Sequence, residues 1–330
     1  MQNNLFLFWL KNARSVALPQ SLLPAGVATC LAYSSPGFSW WWAVLAVLGV
    51  AFGHLGINLW DDYFDYKKDH QAIRNRLNSN GIRARIAKCD YLNSKQANTK
   101  QLFFAASFFC AIALSVGMII FLKRGIFILI ISAITALIGF FYSAPPLRLS
   151  YRGLGELLIG FVFGPLLMSG VYFSACGHFS PQLLFISIPI GLLVANIVYT
   201  HSVIDFQADK ALEKKTLAVL LAKKKPMNFV SFLFIFLPFL IIIIGIFFEI
   251  LSIYYAFVFV ILYMAIYLFR IILLFQNGLR GKIQPKWWMG TMENWQKIET
   301  AGIDWFMIRW YLSRNLLVCF CLIIVIVSLL

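Results

Sequence analysis

Nine stretches of this chain are apolar over lengths that suit a lipid bilayer: 16–33, 40–62, 101–122, 125–144, 153–174, 182–203, 227–249, 251–276 and 312–330. A helix needs roughly 20 residues to cross ~30 Å of hydrocarbon, whereas membrane barrel strands run about half that length and alternate in polarity. The pattern predicts an all-α integral membrane protein, a bundle of about nine transmembrane helices. A composition of 61% hydrophobic and 12% charged residues excludes an ordinary soluble domain, which is about 45–50% apolar and 25% charged. Pro19, Pro24, Pro165, Pro189 and Pro238 fall inside these runs, and bundles tolerate them because neighbouring helices satisfy the backbone groups that proline frees.

The basic residues then set an orientation. With a cytoplasmic N-terminus, every one of the 28 Lys and Arg except Lys123 and Arg124 lies on the cytoplasmic side, the bias that fixes the topology of multi-pass proteins. Loops on the other face are short, at 34–39, 123–124 and 175–181, while 63–100 and 277–311 are long and form a cytoplasmic-side cap. The expectation is one domain, 1–330, in a bacterial-type inner membrane. Positive-inside loops beside anionic lipid account for the formal charge of +15, so nucleic acid is not expected as a partner, and no protein partner is identifiable. The N-terminal FLFWLKNAR predicts a short amphipathic helix on the membrane surface rather than a cleaved leader. Trp287, Trp288, Trp295, Trp305 and Trp310 mark 277–311 as interfacial. The six cysteines show no C-x-x-C spacing and read as small apolar packing residues.

Acids are scarce, thirteen in all, and four of them fall in NLWDDYFDYKKD at 58–69. On a helix, Asn58, Asp61, Asp62, Asp65 and Asp69 share one face about 100° wide. Mutual repulsion opposes such a stripe, and an Asp deep in a bilayer costs about 2.5–3.5 kcal/mol, so a cation must offset it. A second set, VIDFQADKALEKKT at 203–216, places Asp205 and Asp209 four apart, with His201 one turn earlier, Glu213 one turn later, and Lys210, Lys214 and Lys215 following. Two carboxylate stripes beside basic residues suit Mg²⁺ bound to a diphosphate: hard oxygens for the ion, and Lys or Arg for the phosphate oxygens it leaves uncovered. A solvated helix end paired with lysines is the bland reading, and a proton or cation pathway another functional one.

These residues resemble the UbiA superfamily of intramembrane prenyltransferases, in particular its 1,4-dihydroxy-2-naphthoate prenyltransferase branch in menaquinone biosynthesis. The family's N-x-x-N-D-x-x-D is matched by Asn58-Leu-Trp-Asp61-Asp62-Tyr-Phe-Asp65, with Asp61 in place of the second Asn, which makes the run DDxxD. Its R-D-x-x-x-D-x-x-x-x-K-x-T-L is matched from Ile204, which replaces the Arg, through Asp205, Asp209 and Lys214 to Thr216-Leu217. WLKNARSVALPQS resembles the family's first motif, with Ser15 where Pro follows the Arg, and YSAPPLRLSYRGLGE resembles the turn before its fifth span. The glycines expected near 69 and near 213 are missing. The similarity covers about 1–225 and leaves 277–311 unassigned.

The resemblance implies a transferase that moves a polyprenyl group from an allylic polyprenyl diphosphate to an aromatic acceptor, in a membrane and with magnesium. It assigns Asp61, Asp62 and Asp65 to one Mg²⁺ and Asp205 and Asp209 to a second, with Asn58 orienting them or binding phosphate. Arg14, Lys67, Arg148 and Lys214 become diphosphate clamps. Tyr142 would shield the allylic cation with its ring, and Tyr199 and His201 would face the acceptor. Competing expectations are the same fold acting on another phenol, on a lipid alcohol or on its own prenyl chain, a cation-coupled transporter or lipid carrier, and a non-catalytic scaffold.

Overall fold

A computed structural model describes residues 5–67, 89–279 and 281–330. Asp69 and most of the 63–100 loop lie outside the described residues. Within them the secondary structure is helical apart from one isolated bridge between Arg152 and Lys215. The principal helices are α1 (Leu5–Asn12), α2 (Pro19–Tyr33), α3 (Trp40–Tyr66), α4 (Thr99–Arg124), α5 (Ile126–Phe141), α6 (Gly155–Cys176), α7 (Pro181–Ile204), α8 (Lys224–Phe247), α9 (Ile253–Gln276) and α10 (Asp304–Ser328). Seven of these described helices, all except α1, α2 and α5, are long and apolar enough to cross a membrane.

The expected spans 16–33 and 125–144 correspond to the shorter helices α2, of 15 residues, and α5, of 16. Pro19 starts α2 at a position where its missing N–H is not needed. Pro145 and Pro146 follow soon after the end of α5 and cannot continue it. The N-terminus of α4 carries a reciprocal cap: Gln101 N–H donates to Asn98 Oδ1 at 2.9 Å, and Asn98 N–H donates to Gln101 Oε1 at 3.0 Å.

The described residues form two compact units, one comprising 5–67, 89–150 and 166–180 and the other 151–165, 181–279 and 281–330. In the first, α3 packs along α4 through small residues, so closely that a Cβ on Gly56 would stand 2.6 Å from Cys110 Sγ. The second half of α6 packs on α2 and α3, and Arg124 donates to the Ser174 and Ala175 carbonyls, each at 2.8 Å.

In the second unit α7 is the central helix and packs on α8, α10 and the first half of α6. A π-turn at Val162–Leu166 contains Pro165, and Gly164 approaches Gly191 of α7 so closely that a Cβ there would meet its Cα at 2.6 Å. The tryptophan-rich segment is a strap: Trp288 sits edge-on to Tyr263 and Tyr267 of α9, and Asn315 of α10 donates to the Met289 carbonyl at 2.7 Å and the Thr291 carbonyl at 3.1 Å.

Candidate functional site

In the first unit, α3 runs unbroken through the first acidic motif to Tyr66, so Asn58, Asp61, Asp62 and Asp65 share the stripe their spacing predicts. Asp62 and Asp65 are buried, 3% and 8% exposed. They lie in the last turns of the helix, where the negative end of its dipole adds to their mutual repulsion. Among the described residues, Arg14 is a cation that offsets this. Its Nη2 donates to Asp61 Oδ2 at 2.9 Å, to Asp62 Oδ1 at 2.7 Å and to the Asn58 carbonyl at 3.0 Å. Burial alone would lower the guanidinium pKa, but Asp62 and Asp61 outweigh it and raise the value, so Arg14 is always charged. At an effective dielectric of about 20, each contact of this kind contributes on the order of 4 kcal/mol of Coulomb attraction before desolvation is subtracted.

Two further donors hold the acids. Ser143, in the turn after α5, donates to Asp61 Oδ1, and the Tyr91 hydroxyl donates to Asp62 Oδ2 at 3.2 Å. Burial first, and then the negative Asp62, push the Tyr91 pKa up, so its proton stays in place. Asn58 Nδ2 donates to the Ala13 carbonyl at 3.0 Å and so fixes the backbone that presents Arg14. Lys67 caps α3 and turns back on Tyr63, its Nζ 2.7 Å from the hydroxyl and 4.4 Å from the ring centre. Arg148 is half-buried in the turn after α5, with a left-handed φ of 44°. Tyr142 accepts both the N–H and the hydroxyl of Ser150 on its carbonyl, at 2.9 and 2.7 Å. One turn deeper along α3 than Asn58, His54 Nδ1 meets Ser21 Oγ at 2.7 Å, a polar pair inside the apolar run.

In the second unit, Asp205 and Asp209 are 1% and 3% exposed. Helical bonding continues through both, with Asp205 N–H donating to the His201 carbonyl and Asp209 N–H to the Asp205 carbonyl, each at 2.8 Å. His201 Nε2 lies 3.1 Å from Asp205 Oδ2, and its ring is edge-on to Phe306. Tyr199 sits two residues away on another face of α7, fully buried, with its hydroxyl donating to the Met227 carbonyl at 3.0 Å and its ring against Phe234. It packs α7 on α8. Glu213 does not extend the stripe. The helix ends at Ala211, and Glu213 is exposed with a left-handed φ of 53°. Lys214 N–H returns to the Asp209 carbonyl at 2.9 Å, and its Nζ stands 5.9 Å from the Tyr151 ring centre.

Sequence reasoning missed Glu156, the buried carboxylate that closes this segment. It accepts from Ser202 Oγ at 2.7 Å and from Leu217 N–H at 3.2 and 3.3 Å. Ser202 and Leu217 bracket the stretch that carries Asp205, Asp209 and Lys214, so one side chain pins both of its ends. Tyr91 and Ser143 were missed as well. Their partners are 29 and 82 residues away in sequence, and the one hint was that Ser143 and Glu156 both lie in YSAPPLRLSYRGLGE.

Each unit therefore offers buried carboxylate oxygens, hard donors that suit Mg²⁺. Among the described residues no group of three or more His, Cys, Asp or Glu side chains forms a ready-made cage. That donor set fits an ion which takes one or two carboxylates from the protein and the rest of its ligands from phosphates and water.

The sequence pattern of the UbiA prenyltransferase family matches residues 21–290. A 1,4-dihydroxy-2-naphthoate octaprenyltransferase of Bacillus subtilis is 29% identical over 185 residues, which is 55% of this chain and 56% of that enzyme. The chain thus spans little more than half the length of this relative. Among solved structures, digeranylgeranylglyceryl phosphate synthase superposes with a TM-score of 0.62 over 97% of each chain at 15% identity. A UbiA homologue from Archaeoglobus fulgidus bound to GPP and Mg²⁺ superposes at 0.56, over 94% of this chain and 99% of that one, at 18% identity. The structural likenesses establish a common fold, and with most of its length matched the chain belongs to the UbiA prenyltransferase family.

Proposed function

We propose that the protein transfers a polyprenyl group from an allylic polyprenyl diphosphate to an aromatic acceptor, 1,4-dihydroxy-2-naphthoate, with Mg²⁺, at the cytoplasmic ends of about nine membrane helices. The observation that carries this reading is the pair of carboxylate sets, Asp61-Asp62-Asp65, in which Asp62 and Asp65 are buried and Asp61 is half-buried, and the buried Asp205-Asp209, in a chain of this family. The naphthoate acceptor comes from the Bacillus subtilis relative, and the metal and diphosphate from the Archaeoglobus fulgidus homologue.

In this reading Asp61, Asp62 and Asp65 hold one ion and Asp205 and Asp209 a second. Bound Mg²⁺ supplies Lewis-acid neutralisation of the negative charge that builds on the departing diphosphate. Arg14, Lys67, Arg148 and Lys214 place fixed positive charge on the remaining phosphate oxygens, where the transition state gains most from it. The Tyr142 ring faces the allylic cation, His201 orients the acceptor hydroxyl, and the apolar helices take the isoprenoid tail and exclude water. Helix ends suit this chemistry better than cation transport, which places its carboxylates near mid-bilayer.

The likeness to digeranylgeranylglyceryl phosphate synthase favours one second reading, the same chemistry with a lipid alcohol as acceptor. The test is product analysis: the purified full-length protein in lipid, with an allylic diphosphate, Mg²⁺ and either dihydroxynaphthoate or a glycerol-based lipid alcohol, followed by mass spectrometry. A prenylated naphthoate-derived product supports the first reading. A prenyl ether of the lipid alcohol alone supports the second, and no product with either acceptor overturns both.

A further inference from the structure

The Arg14 guanidinium occupies the position of a bridging cation. Its Nη2 carries two hydrogens yet faces three oxygens, Asp61 Oδ2, Asp62 Oδ1 and the Asn58 carbonyl, at 2.7–3.0 Å. An atom within bonding distance of two carboxylates and a carbonyl stands in a pocket of hard oxygens suited to a small divalent ion. The other two carboxylate oxygens carry neutral donors, Ser143 on Asp61 Oδ1 and Tyr91 on Asp62 Oδ2. Among the described residues, Arg14 is therefore a charged group that a metal ion must displace to reach Asp61 and Asp62.

The guanidinium is also equipped for another partner. Its Nε is buried and has no acceptor among the described residues. The backbone that presents it is a left-handed turn, φ 60°, between α1 and the short 3₁₀ turn Ser15–Ala17, and such a turn is an uncommon conformation for a side-chain-bearing residue. Asn58 holds that turn in place through the Ala13 carbonyl, so the guanidinium can leave the carboxylates by rotating its side chain while its backbone stays fixed.

We propose that Arg14 and a divalent ion exchange places on Asp61 and Asp62, and that the ion binds there tightly only when a diphosphate arrives to take over the guanidinium. The inference rests on the proposed function and adds an order of events to it. An ion alone would have to push a permanent positive charge off two carboxylates and then remain beside it. A diphosphate brings oxygens for both cations, since guanidinium pairs with phosphate as well as it does with carboxylate. Metal and diphosphate therefore bind cooperatively, and Arg14 is the residue that couples them.

The test measures retention of Mn²⁺ by the full-length protein in detergent on ultrafiltration, which needs no turnover. Expected for the unmodified protein is weak retention of Mn²⁺ alone and at least tenfold tighter retention with a non-cleavable prenyl thiolodiphosphate, about 1.4 kcal/mol of coupling. Arg14→Gln retains Mn²⁺ alone at least tenfold more tightly than the unmodified protein, and most of the gain from the thiolodiphosphate is lost. Arg14→Lys, which keeps a cation but not the planar fork, falls between the two. If Arg14→Gln does not fold, Arg14→Lys carries the comparison, and a variant that retains Mn²⁺ alone no more tightly than the unmodified protein also overturns the exchange, because a diphosphate that only lends oxygens to the ion tightens its retention whatever Arg14 does. Equal retention of Mn²⁺ with and without the thiolodiphosphate overturns the exchange and leaves the proposed function standing. No retention under either condition overturns the proposed function, and the exchange with it.

Discussion

Replacing Glu156 with Ala removes the acceptor that closes the 202–217 segment, and the size of the effect follows from its bonds. Leu217 N–H reaches both carboxylate oxygens, at 3.2 and 3.3 Å, and loses both. Ser202 Oγ loses a 2.7 Å bond but keeps the Val198 carbonyl at 3.2 Å, so its share is small. The N–H has one hydrogen shared between the two oxygens and counts as one bond; at the upper end of about 1–3 kcal/mol for stranding such a donor, with the small Ser202 share added, Glu156 stabilises the closed segment by about 3 kcal/mol. Loss of that stabilisation raises the locally open population about 100-fold. Lys210, Lys214 and Lys215 lie in the segment, and trypsin cleaves it only when it opens. Where closing outpaces cleavage, the cleavage rate follows the open population. Glu156→Ala should therefore be cut after these lysines about 100 times faster than the unmodified protein, and Ser202→Ala no more than about tenfold faster. Equal rates for Glu156→Ala and the unmodified protein, or equal acceleration by both variants, would refute the assignment of Glu156 as the closure.

Two further outcomes test the packing beneath each acidic set. Gly191→Val sets a Cβ 2.5 Å from the Gly160 carbonyl oxygen and 3.2 Å from Pro165 Cδ. Backbone cannot yield as a flexible side chain would, so the cost reaches the upper end of the ~1–3 kcal/mol typical of overpacking, read as a lowered thermal midpoint in detergent, while Gly191→Ala costs less. Tyr91→Phe removes the hydroxyl from Asp62 Oδ2 and lowers stability by about 1.5–3 kcal/mol, measured by denaturant unfolding. An unchanged midpoint would show that the buried carboxylate does not depend on this donor.

What the sequence allowed and what it hid divide along physical lines. The stripe of Asn58, Asp61, Asp62 and Asp65 was legible because helical spacing is local and α3 continues through all four residues. The need for a cation was legible too, since three acids on one face repel. Its identity was not: Arg14 read as a phosphate ligand, and its bonds to Asp61 and Asp62 join residues 47 and 48 apart. Glu213 was misplaced for a different reason. ADKALEKK is rich in strong helix formers, yet the helix stops at Ala211 and the chain is drawn back through Lys214 to Asp209 and through Leu217 to Glu156. Tertiary bonds there overrule local propensity. The ends of spans drawn from apolarity ran past those set by Pro19 and by Pro145-Pro146. The family match reaches residue 290, into the strap that no local pattern could place and that Trp288 and Asn315 fasten to α9 and α10.

In the proposed function both carboxylate sets assist, through Mg²⁺, the departure of diphosphate. The most direct test is diphosphate release from an allylic prenyl diphosphate, followed with and without Mg²⁺, by the unmodified protein, Asp62→Asn and Asp205→Asn. These substitutions keep shape and remove charge. Release that requires Mg²⁺ and falls at least about 100-fold in each variant, as the loss of one electrostatic stabiliser does, is the predicted result. Full rates in both variants, or release indifferent to Mg²⁺, would contradict it.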